Sequence, residues 1–184
     1  LSTQMLRGRG AIPSLSLLKL LVGSPHRFAS KDWLATQMQQ EMEAGAVIRL
    51  DTSASYLRGL LCGLEREDSD VLRRQSVAYL RNGRGSGPGY QLAPYPLIWL
   101  DRDALFFYVE QAARMERFGH SQEALSFWEQ AYALASRGEY LPDEQYSKWA
   151  QEPREQVEGA LRQSVHALHR LYLARDGEAA EEEV

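Results

Sequence analysis

The side chains of this 184-residue chain best suited to metal binding or nucleophilic chemistry are four histidines and one cysteine. They are scattered. His26, His120, His166 and His169 show no metal-ligand spacing. His166 and His169 share a helix face, yet no third ligand accompanies them. The single Cys62 excludes an internal disulfide and a cysteine-based zinc site, and on a helix it reads as a small packed residue. No catalytic constellation emerges, so neither an enzyme nor a cofactor is expected.

The remaining chemical candidate is the glycine-rich stretch Gly83 to Gly89. A dinucleotide loop would need a helix opening at its last glycine, whereas Tyr90-Gln91-Leu92-Ala93-Pro94 follows. A P-loop would need Gly-Lys-Ser/Thr, which is absent. The stretch reads instead as a flexible wing with two cations, Arg81 and Arg84, flanking Asn82. Its backbone N–H groups are suited to phosphate.

Three helices precede this wing. The first covers 14–22 with Ser14 as cap, and the second covers 31–42 with Ser30 as cap and Trp33, Leu34 and Met38 inward. A third opens at Asp51-Thr52-Ser53 and runs to about Glu65. Its stripe of Leu57, Leu60, Leu61 and Leu64 recurs at spacings of three and four, leaving Ser55, Tyr56, Arg58 and Cys62 off it. Ser76 to Leu80 and Tyr90 to Leu92 read as strands around the wing loop. Three helices followed by strand–loop–strand is the order of a winged helix, whose third helix enters the major groove. The same topology also suits a small α+β domain with no nucleic-acid partner. On the DNA reading, Ser55 and Arg58 face the groove while Leu57, Leu61 and Leu64 are buried. The candidate contact set is Thr52, Ser53, Ser55, Tyr56 and Arg58 from the helix, with Arg81, Asn82 and Arg84 from the wing.

After a Pro94-Tyr95-Pro96 connector and an extended apolar segment, 97–100, the period becomes helical. Helices are expected over 103–118, 121–136 and 154–174, with a turn at Leu141-Pro142-Asp143 and Trp149 near the end of the element that follows it. Ala112, Gly119, Ala124 and Ala131 place small residues where two helices approach closely, as in a tetratricopeptide hairpin. Phe106, Phe118, Trp128, Tyr132 and Trp149 form an aromatic set for a second core, so residues 103–174 are expected to fold without the first domain. The acidic tail from Gly177 to Glu183 should fray, or else begin further helical repeats. The expected fold class is mainly α: a winged helix-turn-helix with a small β-hairpin over 1–100, then an all-α tetratricopeptide-like domain over 101–184.

Charge supports this division. The net charge is −4, but residues 1–101 carry 12 Lys and Arg against 9 Asp and Glu, and residues 102–184 carry 9 against 16. A mildly basic half joined to an acidic one fits a DNA-facing and a protein-facing module. No apolar run reaches the roughly 20 residues of a membrane helix, so no membrane partner is expected. Leu1-Ser2-Thr3-Gln4 begins no recognisable signal peptide, and the missing initial Met is what a fragment or processed chain would show. A cytoplasmic location is expected.

Leu57-Arg58-Gly59-Leu60-Leu61-Cys62-Gly63-Leu64-Glu65-Arg66 resembles the recognition helix of OmpR-type winged helices in the Streptomyces antibiotic regulatory protein family. Gly-Tyr-Gln-Leu at 89–92 and Trp99-Leu100-Asp101-Arg102-Asp103-Ala104-Leu105 are similar to that family's junction into a bacterial transcriptional activator domain. So are Glu129 to Leu134, Arg137 to Pro142, Trp149-Ala150, and Arg154-Glu155 with Val157. The resemblance covers roughly residues 12–176. Two features depart from it: Cys62-Gly63 stands where Ser-Arg is usual, and the sheet ahead of the first helix is hard to see in residues 1–12. The resemblance implies a transcription activator that binds double-stranded promoter DNA, often as a homodimer, and contacts RNA polymerase. The alternative is a protein-interaction adaptor with a degenerate winged helix. Arg58, Arg81 and Arg84 gathered on one face would favour the first.

Overall fold

A computed structural model describes residues 11–41, 49–62, 77–83 and 87–182. It is mainly helical, with one three-stranded antiparallel sheet. The chain divides into two compact units, residues 1–98 and 99–184.

The first unit contains α1 (Ala11–Gly23), β1 (Phe28–Ser30), α2 (Lys31–Glu41), α3 (Leu50–Cys62), β2 (Leu80–Gly83) and β3 (Gly89–Leu92). The sheet order is β1-β3-β2. Phe28 lies opposite Gln91 on one side of β3, and Arg81 lies opposite the same residue on the other. Strand β1 was not expected. Three residues between two helices give no alternating pattern long enough to register. Residues 77–79, expected to be strand, are helical, and pairing begins only at Leu80.

Leu17, Leu20, Leu21, Leu34, Met38, Ala54, Leu57, Leu80 and Leu92 form the buried set of this unit. Ser30 caps α2 as expected, its hydroxyl accepting from the Trp33 N–H at 3.3 Å. Ser14 is no cap: α1 begins earlier, and Ser14 is fully buried inside it. Its hydroxyl donates to the Ser53 carbonyl of α3 at 3.0 Å, fastening two helices together.

The α1–β1 connection is the unit's irregular point. His26 and Arg27 both have left-handed backbone, with φ of 51° and 56°. Conformations of this kind cost roughly 1–3 kcal/mol and persist where surroundings fix them. Arg27 supplies the fixing. Its side chain is buried, and Nη1 donates to the carbonyls of Ala93 at 2.5 Å and Ile98 at 3.1 Å. The segment 97–100, read as extended from sequence, instead begins with a turn that closes on the Pro94 carbonyl, with Leu97 exposed.

The second unit contains α4 (Asp101–Arg117), α5 (Ser121–Ala135) and α6 (Lys148–Glu182). Small residues do let these helices approach. Ala112, Ala124 and Ala131 have no exposed surface, and Ala160 and Ala167 come from α6 to join the same core around Trp128. Gly119 has another task, ending α4 at a φ of 76° that suits glycine. Phe118 and Tyr132, expected in this core, are exposed. Phe118 is the residue after the last helical position of α4 and lies under the Arg114 guanidinium, 6.0 Å from the ring centre.

Helix α6 starts before Pro153 rather than after it, and its backbone is helical through Glu182. Pro153 removes the N–H that would bond the Trp149 carbonyl. Arg154, one residue on, reaches back to the preceding turn and donates to the carbonyls of Tyr140, Leu141 and Gln145.

Candidate nucleic-acid interface

Helix α3 presents two faces. Ser53, Ala54, Leu57 and Leu60 are buried against the unit's core. Asp51, Thr52 and Ser55 are exposed, and Tyr56, Arg58 and Gly59 are half-buried. Thr52, Ser55, Tyr56 and Gly59 lie at i, i+3, i+4 and i+7, which is one stripe of a helix. Of the expected contact set, Ser53 is therefore misplaced by one face. Its hydroxyl donates back to the Arg49 carbonyl at 3.3 Å, and its own carbonyl serves Ser14. Leu57 is buried as expected and Leu61 half-buried, while Leu64 lies outside the described residues.

Arg58 does not project into open space. Its Nε donates to the Leu80 carbonyl at 2.9 Å, and Nη2 donates to the Asn82 side-chain oxygen at 3.0 Å. The guanidinium also lies 5.6 Å from the centre of the Tyr90 ring. Arg58 thus ties α3 to both strands of the hairpin. Lys31, at the start of α2, approaches the same ring at 5.2 Å. Cations this close to a ring centre are attracted to its negative face.

Asp51 completes the cluster. It accepts from Lys31 Nζ at 2.6 Å and from the Tyr90 hydroxyl. The hydrogen bond from Lys31, then that from Tyr90, hold the Asp51 carboxyl below its ordinary value. The bond to Asp51 raises the Lys31 ammonium. Burial, then the Asp51 bond, pushes up the Tyr90 phenol. Helices α2 and α3 and strand β3 are joined through these three side chains. Sequence reading missed Lys31, Asp51 and Tyr90 as a group because they are separated by 20 and 39 residues, and no local period links them.

The hairpin brings Asn82 to the surface beside Arg58, and its strand neighbour Arg81 is exposed; Arg84 lies outside the described residues. Two of the glycines in this region are explained by packing rather than by phosphate. A methyl at Gly83 would come within 2.5 Å of the Phe28 ring, and one at Gly89 would come within 2.7 Å of that ring and meet the Ala29 carbonyl. The register that places Gly89 opposite Ser30 requires both.

Among the described residues no group of His, Cys, Asp and Glu could hold a metal ion, and no helix is long and apolar enough to cross a membrane. Burial pushes the Cys62 thiol up, away from nucleophilic character. A cleft of about 180 Å³ in the second unit is lined by Arg102, Arg137 and Tyr140 among others, with no serine, cysteine or histidine. No protein-family model matches the chain, and neither a curated protein nor a solved structure shows significant similarity to it.

Proposed function

We propose that the chain is a sequence-specific, DNA-binding transcription regulator of the Streptomyces antibiotic regulatory protein type. Its first unit acts as a winged helix and its second as a tetratricopeptide-like activator domain. The observation that carries the reading is that Arg58 fastens α3, with Thr52 and Ser55 exposed, to the hairpin strand that bears the exposed Arg81 and Asn82. A helix and a neighbouring hairpin fastened to each other suit simultaneous contact with a major groove and the adjacent backbone. The strand order β1-β3-β2, with β1 between the first two helices, supports the same reading. The acidic charge of the second unit suits contact with protein, either RNA polymerase or a second copy of the chain.

The test is affinity against salt concentration for duplex DNA taken from the chain's own upstream region and for a scrambled duplex. The parent should prefer its own site and lose affinity steeply with salt. Arg81→Ala should weaken both duplexes about equally and flatten the slope by roughly one charge. An absence of binding to both would leave the protein-interaction adaptor as the better reading.

A further inference from the structure

We infer that α3 reads base pairs through an uncharged face made by Thr52, Ser55, Tyr56 and Gly59, suited to thymine-bearing steps, and that Arg58 is a positioning residue which reads no base. The inference rests on the DNA-binding reading above. Guanine is most often selected by an arginine or lysine donating two hydrogen bonds to its major-groove edge. Among the described residues of α3, the stripe of Thr52, Ser55, Tyr56 and Gly59 carries neither residue. The cation that the described part of α3 carries, Arg58, spends Nε on the Leu80 carbonyl and Nη2 on Asn82, and lies over Tyr90. Turning it out to a base would break two hydrogen bonds and one cation–π contact, leaving the Tyr90–Asp51 bond as the remaining polar tie described between α3 and the hairpin.

What the stripe offers is different. Thr52 brings a methyl group and a hydroxyl, Ser55 a hydroxyl, and Tyr56 a ring. A threonine methyl packs on the thymine C5-methyl, and hydroxyls pair with either donors or acceptors on base edges. Gly59 leaves the helix surface low, because a Cβ built there meets nothing within 4 Å. That permits a close approach to the groove floor. Asp51, at the head of the stripe, would repel phosphate, but Lys31 and the Tyr90 hydroxyl already hold its carboxylate. Arg49 is exposed one residue ahead of the helix and three before Thr52, so its alanine variant is the control for a charged base contact at that end of the stripe.

The experiment is selection from a randomised duplex library by the full chain and by variants, with thermal melts to show that each is folded. The parent should enrich A·T pairs at the centre of its site. Thr52→Ala combined with Ser55→Ala should erase that preference while leaving affinity for unselected DNA within about threefold. Arg58→Lys and Asn82→Ala should keep the preference while binding every duplex several-fold more weakly. Enrichment of a central guanine that disappears in Arg58→Ala or Arg49→Ala would overturn the inference and leave the DNA-binding reading standing. A parent that binds no duplex better than competitor would remove both.

Discussion

The two units of this chain are held together by different means. In the first, short elements are fastened by side chains reaching across long stretches of sequence: Ser14 to Ser53, Arg27 to Ala93 and Ile98, Arg58 to Leu80, Lys31 and Tyr90 to Asp51. In the second, three long helices satisfy their own backbones and meet through alanines around one tryptophan. Several of its polar contacts are peripheral, such as Arg137 with Asp101 at 2.7 Å and Arg170 with Glu116. A helix bundle leaves few backbone groups needing outside partners. A unit of short strands and short helices leaves many, and polar side chains must supply them. An exception in the second unit follows the same logic. Where its chain turns irregularly, at the left-handed Leu141, Arg154 bonds three carbonyls much as Arg27 bonds two in the first unit.

The largest expected effect breaks the second unit. Trp128 is 2% exposed, and its indole N–H donates to Glu116 at 2.5 Å. Trp128→Ala should cost about 3–5 kcal/mol, read by chemical denaturation of the full chain. The first unit should be broken instead by removing a tether. Arg27→Ala leaves two inward-facing carbonyls without their donor and should cost about 2–3 kcal/mol. The cost should remain in Arg27→Gly, although glycine relieves the left-handed backbone. A glycine variant as stable as the parent would show that the conformation, not the tether, governs this site.

These tethers explain how much was legible in the sequence. Helices α4 and α5 could be placed to within two residues, because a 3.6-residue period and small residues at contact points are local signals. So could α2, with its Ser30 cap. Arg27 gave no signal, since its partners lie 66 and 71 residues away and are main-chain carbonyls that any residue could provide. Arg58 was singled out as a groove-facing side chain because it lies off the leucine stripe. Its occupation by Leu80 and Asn82 depends on where the hairpin folds back, which no helical period contains. Ser53 was different: it stands four and seven residues before Leu57 and Leu60, so the helical period already put it on the buried stripe, and its polarity alone suggested a contact.

Two glycines sharpen the comparison within the first unit. Gly89→Ala would push a methyl against the Phe28 ring and the Ala29 carbonyl, and should destabilise by about 1–3 kcal/mol. Gly59→Ala meets open space on a helix and should stabilise by up to about 1 kcal/mol. Opposite signs in thermal melts would confirm that packing requires the one glycine and folding does not require the other. The smallest effect concerns Asp51. Its carboxyl is held low, so its contribution is present above the ordinary carboxylate range and is lost as pH falls through the lowered value. Lys31 and Tyr90 are both raised, so theirs is lost at the alkaline end as pH climbs through the raised values. Asp51→Asn should flatten the acid limb of stability against pH slightly, because the pair is solvent-exposed and screened. An unchanged acid limb would show that the Lys31–Asp51 bond adds nothing to folding.

The division of labour between the units can be read directly by adding duplex DNA to the isotopically labelled full chain and following backbone amide resonances. The account predicts shifts concentrated at Thr52 to Gly59 and at Arg81 to Gly83, with α5 and the buried face of α6 unmoved. Shifts confined to the second unit, or none at DNA concentrations well above the protein's, would contradict it.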